Sequence, residues 1–242
     1  MTKGFLYGIK KFPSDLKNSD LLLLFLAVIL AVTSITTVTF FGDRLKISIQ
    51  QQAAVVLGAD AVLRSSSPIS SEYLQQAQHE GLTTAESISF LSMVIVNGDN
   101  LLASIKATST EYPLRGTLKL RSFDGQIINQ HQGTPRQGYV WVEQKLMDQL
   151  NIPKGGSIVI GDREFIIESV LDDFPDRNIG FLNFSPTVLV NIADLESMGV
   201  ILPGSRVLYR QMFAGNKERL DRFLTGLENL PPEIRIQQIE NI

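Results

Sequence analysis

The sequence predicts an α+β protein: one N-terminal transmembrane helix with a stalk, then a mixed α/β outer domain that carries a β-rich inserted subdomain. Three observations predict it. Leu21–Phe41 is an apolar run with no charged residue between Asp20 and Asp43. Beyond Gly58, short apolar runs alternate with Gly, Asn and Pro turns, the punctuation of strands, with only a few helix-length patterns among them. Finally, the 242 residues contain no cysteine, so the outer domain relies on its core rather than on disulfides.

Residues 21–41 are long enough to span a bilayer. At about 1.5 Å per residue such a helix covers roughly 30 Å, the hydrocarbon thickness. Its Leu, Ile, Val and Phe side chains each favour insertion by about 0.3–0.6 kcal/mol, which outweighs the hydroxyls of Thr33, Ser34, Thr36, Thr37 and Thr39. A cleaved signal peptide has a shorter apolar region followed by a small-x-small site, whereas here Ala31-Val32-Thr33 lies inside the run. Lys3, Lys10, Lys11 and Lys17 precede the span against Asp15 and Asp20, so the positive-inside rule puts residues 1–20 in the cytoplasm and the remainder across the membrane. Within 1–20, Phe5, Ile9, Phe12 and Leu16 share a helix face, the pattern of a basic amphipathic leader lying in the interface and bent at Pro13. The small and hydroxyl residues from Ala27 to Thr39 suit close packing against partner helices, or bonds to their own preceding carbonyls.

The helical period continues through Phe41, Leu45, Ile49, Ala53 and Val56, predicting a stalk over 42–57 that ends at Gly58. Ala59–Arg64 then reads as a strand and Ser70–Glu80 as a helix closed by Gly81. Glu86–Val96 and Leu101–Ala107 read as a hairpin turning at Asn97-Gly98-Asp99-Asn100. Further strands are expected at Leu118–Phe123, Gly138–Val142, Ser157–Ile160 and Glu164–Val170, with a helix over Glu143–Leu150. Phe181–Val190 is strand-like, limited by Pro186 to an edge or a break. Arg206–Phe213 (strand), Asn216–Asn229 (helix) and Glu233–Ile239 (strand) close the chain. Residues 58–110 and 203–242 thus form an α/β subdomain interrupted by a β-rich insert over 111–202.

No catalytic set emerges. The Lys154-Gly155-Gly156-Ser157 stretch joins a helix to a strand, the reverse of a phosphate-cradling loop, so the chain has no nucleotide site of its own. The two histidines, His79 and His131, lie in unrelated contexts, which disfavours a histidine metal site or a Ser-His dyad. Asp172, Asp173 and Asp176 are the densest carboxylates, but their spacing is not that of a calcium loop, and Arg177 beside them favours an internal ion pair. No cofactor is expected. A net charge of −3 without a basic stripe argues against nucleic acid.

Several stretches carry a resemblance that spans nearly the whole chain: Phe41-Gly42-Asp43-Arg44, Leu57-Gly58-Ala59-Asp60, Glu111-Tyr112-Pro113-Leu114-Arg115-Gly116, Tyr139-Val140-Trp141-Val142, Phe174-Pro175-Asp176-Arg177, Asn191-Ile192-Ala193-Asp194-Leu195 and Pro203-Gly204-Ser205-Arg206-Val207-Leu208-Tyr209-Arg210. Together they resemble the FtsX-like permease family of ABC transporters, in its branch of YbbP-type permeases, whose outer region is akin to the MacB-type periplasmic core domain. The resemblance implies a non-catalytic permease subunit of the bacterial inner membrane, with residues 43–242 periplasmic. It further implies a separate cytoplasmic ABC-type ATPase, further permease helices or a second permease copy, and a periplasmic protein or lipophilic cargo. Members of that family carry further spans after the outer domain, and this chain stops at Ile242, where the second is expected. The expectation is therefore an N-terminal fragment, a truncated product or one piece of a split permease.

Candidate coupling or partner-contact residues are Glu111, Tyr112, Pro113, Leu114, Arg115, Gly116, Asp176, Arg177, Gly204, Ser205 and Arg206. Structural roles compete: Pro113, Gly116 and Gly204 as turn formers, Asp176 paired with Arg177, Glu111 paired with Arg115. The competing function is a single-span sensor or adaptor, in which the outer domain binds a ligand and the leader signals through a partner. A membrane-anchored hydrolase is a third reading, weakened by the missing catalytic set.

Overall fold

The computed structural model describes residues 19–130, 132–177, 185–202, 204–227 and 230–238. The predicted leader, His131, Pro203 and the first part of the Phe181–Val190 run lie outside them. The chain divides into two compact units, Met1–Ile49 and Gln50–Ile242.

The first unit is described by a single element. Helix α1, Ser19–Leu57, contains a stretch, Leu22–Lys46, long and apolar enough to cross a membrane. Between Leu22 and Leu45 its Leu, Val, Ile and Phe side chains are exposed on every side, Leu30 by 74%. Two of its hydroxyls are spent internally: Thr37 Oγ1 donates to the Thr33 carbonyl at 2.7 Å and Thr39 Oγ1 to that of Ile35 at 3.0 Å. Apolar side chains exposed around the whole circumference are what a lipid environment favours and water does not.

The second unit begins with the last turns of α1. Gly58, at φ 73°, ends the helix in the left-handed conformation that a Cβ disfavours. There follow β1 (Ala61–Ser65), α2 (Glu72–His79), β2 (Thr83–Val96), β3 (Asp99–Thr108), β4 (Leu118–Arg121), β5 (Ile127–Gln130) and β6 (Tyr139–Val142). Then come α3 (Gln144–Gln149), β7 (Ser157–Ile160), β8 (Arg163–Asp173), β9 (Thr187–Asn191), a 3-10 turn (Ile192–Asp194), α4 (Leu195–Met198), β10 (Val207–Ala214), α5 (Lys217–Thr225) and β11 (Arg235–Gln238). The β2–β3 hairpin turns at Asn97-Gly98, both with positive φ (51° and 94°), and pairs Val96 with Asp99.

Among the described residues the strands form one 11-stranded sheet in the order β11-β1-β10-β2-β3-β9-β6-β8-β4-β5, and β7 pairs with both β2 and β8. That double pairing closes β2, β3, β9, β6, β8 and β7 into a ring. Of the two outcomes expected of Pro186, an edge or a break, the break is found: β9 begins one residue later, inside the sheet between β3 and β6, and the Pro186 carbonyl accepts the Ser104 amide at 2.9 Å. A proline before the first paired residue removes no donor from the ladder.

Because side chains alternate along a strand, the ring buries two faces. Phe90, Val94, Ile105, Val140, Phe165, Ile167, Val188 and Val190 fill its inside, joined by Leu146 and Met147 of α3. On the outside of the same strands, Trp141 and Leu189, with Met212 and Ala214 of the adjoining β10, pack with Leu57, Tyr112, Leu114 and Phe174. A third cluster joins Phe213 to Ala77 of α2 and Phe223 of α5.

Candidate functional site: a buried charge cluster at the end of the long helix

On the outer face of the ring, alternation places polar side chains where burial is complete. Lys106 of β3 is 6% exposed, Arg210 of β10 3%, and Asp176, in the loop after β8, 6%. The Asp176 carboxylate receives three donors. Lys106 Nζ and Tyr112 Oη donate to its Oδ1, the latter at 2.7 Å, and Arg210 Nη1 donates to its Oδ2. Tyr112 Oη also reaches the Pro175 carbonyl at 3.0 Å. Asp176 sits at φ 56°, a left-handed conformation that Asp and Asn adopt more readily than other non-glycine residues.

The cluster holds the end of α1. Arg210 Nη2 donates to the Leu57 carbonyl at 2.9 Å, one of the acceptors a helix C-terminus leaves without an internal partner. Next to it, the amides of Leu114 and Arg115 both donate to the Gly58 carbonyl, at 3.0 and 2.9 Å. Arg115 forks onto Asp60, Nε to Oδ1 at 2.8 Å and Nη2 to Oδ2 at 2.5 Å, and Asp60 Oδ2 accepts the Gly215 amide at 3.0 Å. Gly116, at φ 88°, lies where a Cβ would come within 2.7 Å of Pro175 Cγ and 3.2 Å of Val55 Cγ1. The loop from Tyr112 to Gly116 is thus wedged between the last helical turn and the Phe174–Asp176 loop.

Burial dominates the electrostatics. It holds the Lys106 ammonium well below its ordinary pKa, with the charge of Arg210 the second cause. It lowers Arg210 to about 10, and it raises the Tyr112 phenol above its usual value. Two aromatic faces cover Lys106, those of Tyr112 at 4.9 Å and Phe174 at 5.4 Å.

Of the sequence-derived candidates, Tyr112, Pro113, Leu114, Arg115, Gly116 and Asp176 come together here, and the Tyr112–Pro113 peptide is cis. Two expected pairings are replaced. Arg177 bonds Glu143 at 2.5 Å rather than Asp176, because Asp176 faces inward to Lys106 and Arg210. Arg115 bonds Asp60, while Glu111 is exposed beside a groove of about 350 Å³ with Glu86 and Leu74. Asp172 and Asp173 pair with Arg121 and Lys119, so the acidic group is dispersed, and no metal-holding cluster occurs among the described residues. Gly204, at φ 90°, and Ser205 build the turn before β10, where Ser205 Oγ accepts the Leu202 amide at 3.0 Å. Arg206 leads from that turn into the strand carrying Arg210. Sequence reading passed over Lys106; its signal was a single cation inside the apolar run Leu101–Ala107.

A sheet buried on two faces, an apolar helix before it long enough to cross a membrane and a clamp around the helix end make up the domain. Residues 21–217 match the MacB-like periplasmic core domain family, and the chain belongs to that family, one of membrane-anchored periplasmic domains. It is 30% identical over 230 residues to the uncharacterized ABC transporter permease YbbP of Escherichia coli (strain K12), covering 95% of this chain and 28% of that protein's length. It also resembles the crystal structure of the extracellular domain of the noncanonic ABC-type transporter YknZ from Gram-positive bacteria. There the TM-score is 0.46 and the identity 11%, over 74% of this chain and all (100%) of that one.

Proposed function

We propose that the chain is the first membrane helix and periplasmic domain of an ABC transporter permease subunit. Its N-terminus is cytoplasmic, residues 43–242 are periplasmic, and it resides in the inner membrane. A separate cytoplasmic ABC-type ATPase hydrolyses the nucleotide, and further permease helices or a second copy complete the membrane part. Movement of α1 passes into the periplasmic domain, which hands it to a periplasmic protein or a lipophilic cargo. The observation carrying this reading is the double hold on the end of α1, Arg210 on the Leu57 carbonyl and Leu114 and Arg115 on that of Gly58. Every buried helix end needs partners for its last carbonyls, and here they come from β10 and from the Tyr112–Gly116 loop, so a displacement of the helix end is carried to both. The permease relative over 95% of the chain supplies the transporter context.

The test is affinity purification of the chain from its native membranes. Recovery of an ABC-type ATPase is expected, with hydrolysis that responds to the chain and loses that response in Arg210→Met. Recovery of no such ATPase in stable detergent extracts refutes the reading.

A further inference from the structure

At the charge cluster, Lys106, Arg210, Arg177, Ser89, Ser104 and Thr187 line a cavity of about 30 Å³ together with the Asp176 carboxylate and the apolar Phe174 and Leu208. Its charges do not balance. Arg177 is matched by Glu143, but Lys106 and Arg210 share the one carboxylate of Asp176. Arg64, in register with Arg210 on the neighbouring strand, adds a further positive charge. An isolated buried charge is costly unless a counter-charge neutralises it. Arg210 also has a donor to spare: its Nη1 and Nη2 are used, while its Nε is buried without a partner. Ser89, Ser104 and Thr187, all less than 9% exposed, bring hydroxyls that can donate.

We propose that this cavity binds a single small monovalent anion of the chloride class, with Lys106 and Arg210 supplying the charge and Ser89, Ser104 and Thr187 the neutral donors. Size sets the class. A water needs about 10–15 Å³ of such space, so the cavity of about 30 Å³ has room for one monatomic ion within its walls. The burial-lowered pKa of Lys106 agrees: without a further anion the ammonium is disfavoured, and a bound halide restores it. The ion sits against the residue that holds the Leu57 carbonyl, so its binding stiffens the end of α1. None of this depends on ATPase coupling.

Thermal unfolding of the full chain in detergent, in sodium chloride against sodium gluconate at equal ionic strength, tests the proposal. Chloride is expected to raise Tm saturably. At ten times the half-saturating concentration the folded-to-unfolded ratio rises about elevenfold. Lys106→Met, which leaves Arg210 matched one-to-one by Asp176, is expected to abolish the difference between the two salts. Equal Tm in both salts overturns the proposal, as does a chloride effect that survives intact in Lys106→Met, the sign of an ion bound elsewhere. Should Lys106→Met not fold, wild-type crystals grown in sodium bromide decide: an anomalous peak in contact with Lys106 and Arg210 supports the site, and water alone in the cavity overturns it.

Discussion

Replacing Asp176 by Asn isolates the energetic role of the cluster. The substitution removes a charge and one acceptor oxygen while keeping size, and Asn tolerates the φ of 56° that Asp176 adopts. It strips the counter-charge from Lys106 and Arg210 together. Lysine limits its own penalty by losing its proton, since its pKa is already depressed. Arginine has no such escape at neutral pH, even with its pKa lowered to about 10. Removing one partner of a buried pair costs about 3–5 kcal/mol. For a unit of this size each kcal/mol lowers Tm by about 2–4 °C, so a loss of about 6–20 °C is expected. The assay is thermal unfolding of the full chain in chloride-free detergent buffer, where no small anion can replace the carboxylate. Asp176→Ala should cost about 1 kcal/mol more, because alanine resists the left-handed conformation. Lys106→Met, which leaves Asp176 with Arg210 and Tyr112, should cost far less than either. The reasoning fails if Asp176→Asn stays within about 0.5 kcal/mol of wild type, or if Lys106→Met is as damaging.

Gly116→Ala places a methyl against Pro175 and Val55 at a φ of 88°, so a loss of at least about 1–2 kcal/mol and faster amide exchange over residues 53–58 are expected, read by mass spectrometry. Gly161→Ala should be harsher still, since its Cβ would lie 2.0 Å from the Met198 carbonyl oxygen; unaltered expression and Tm would contradict the packing there. Alkaline stability reports on Lys106. Between its depressed folded pKa and the ordinary value of 10.5 the unfolded state binds more protons, so stability rises with pH across that window. The slope approaches at most about 1.4 kcal/mol per pH unit and should vanish in Lys106→Met. The absence of native cysteine makes topology directly testable: Asp99→Cys, at the exposed hairpin tip, should react with an impermeant maleimide in spheroplasts, and Lys3→Cys should not.

What the sequence disclosed were features with local causes. Asn97-Gly98 announces a hairpin because both residues accept positive φ, and Gly58 announces a helix end for the same reason. Ser157–Ile160 shows the β period plainly, yet nothing local says that it pairs with both β2 and β8, so the ring stayed invisible. The edge strand Ile127–Gln130 was hidden because both of its isoleucines are exposed, which erases the alternation a half-buried strand displays. Residues 192–198 turn helical directly after β9, and the local signal was Asn191 at the boundary, whose side chain accepts the Ala193 amide as a cap. The candidate site was half legible. Tyr112 to Gly116 and Asp176 stood out as stretches, but that Asp176 chooses Lys106 and Arg210 over its neighbour Arg177 depends on the loop's left-handed turn and on strands far away in the chain.

The hold of Arg210 on the Leu57 carbonyl joins residues 153 positions apart. At roughly 5–20 residues per second, synthesis separates the two ends of that bond by about 8–30 s. The long helix is therefore finished, and free to find its surroundings, well before its last carbonyl acquires a partner. Arg210 lies on β10, beyond every strand of the ring, so it arrives after the last ring strand, with β11 alone of the described strands still to come. The clamp thereby closes in two stages: the Leu114 and Arg115 amides can reach the Gly58 carbonyl early, and only a chain translated past β10 can add the second hold on the helix.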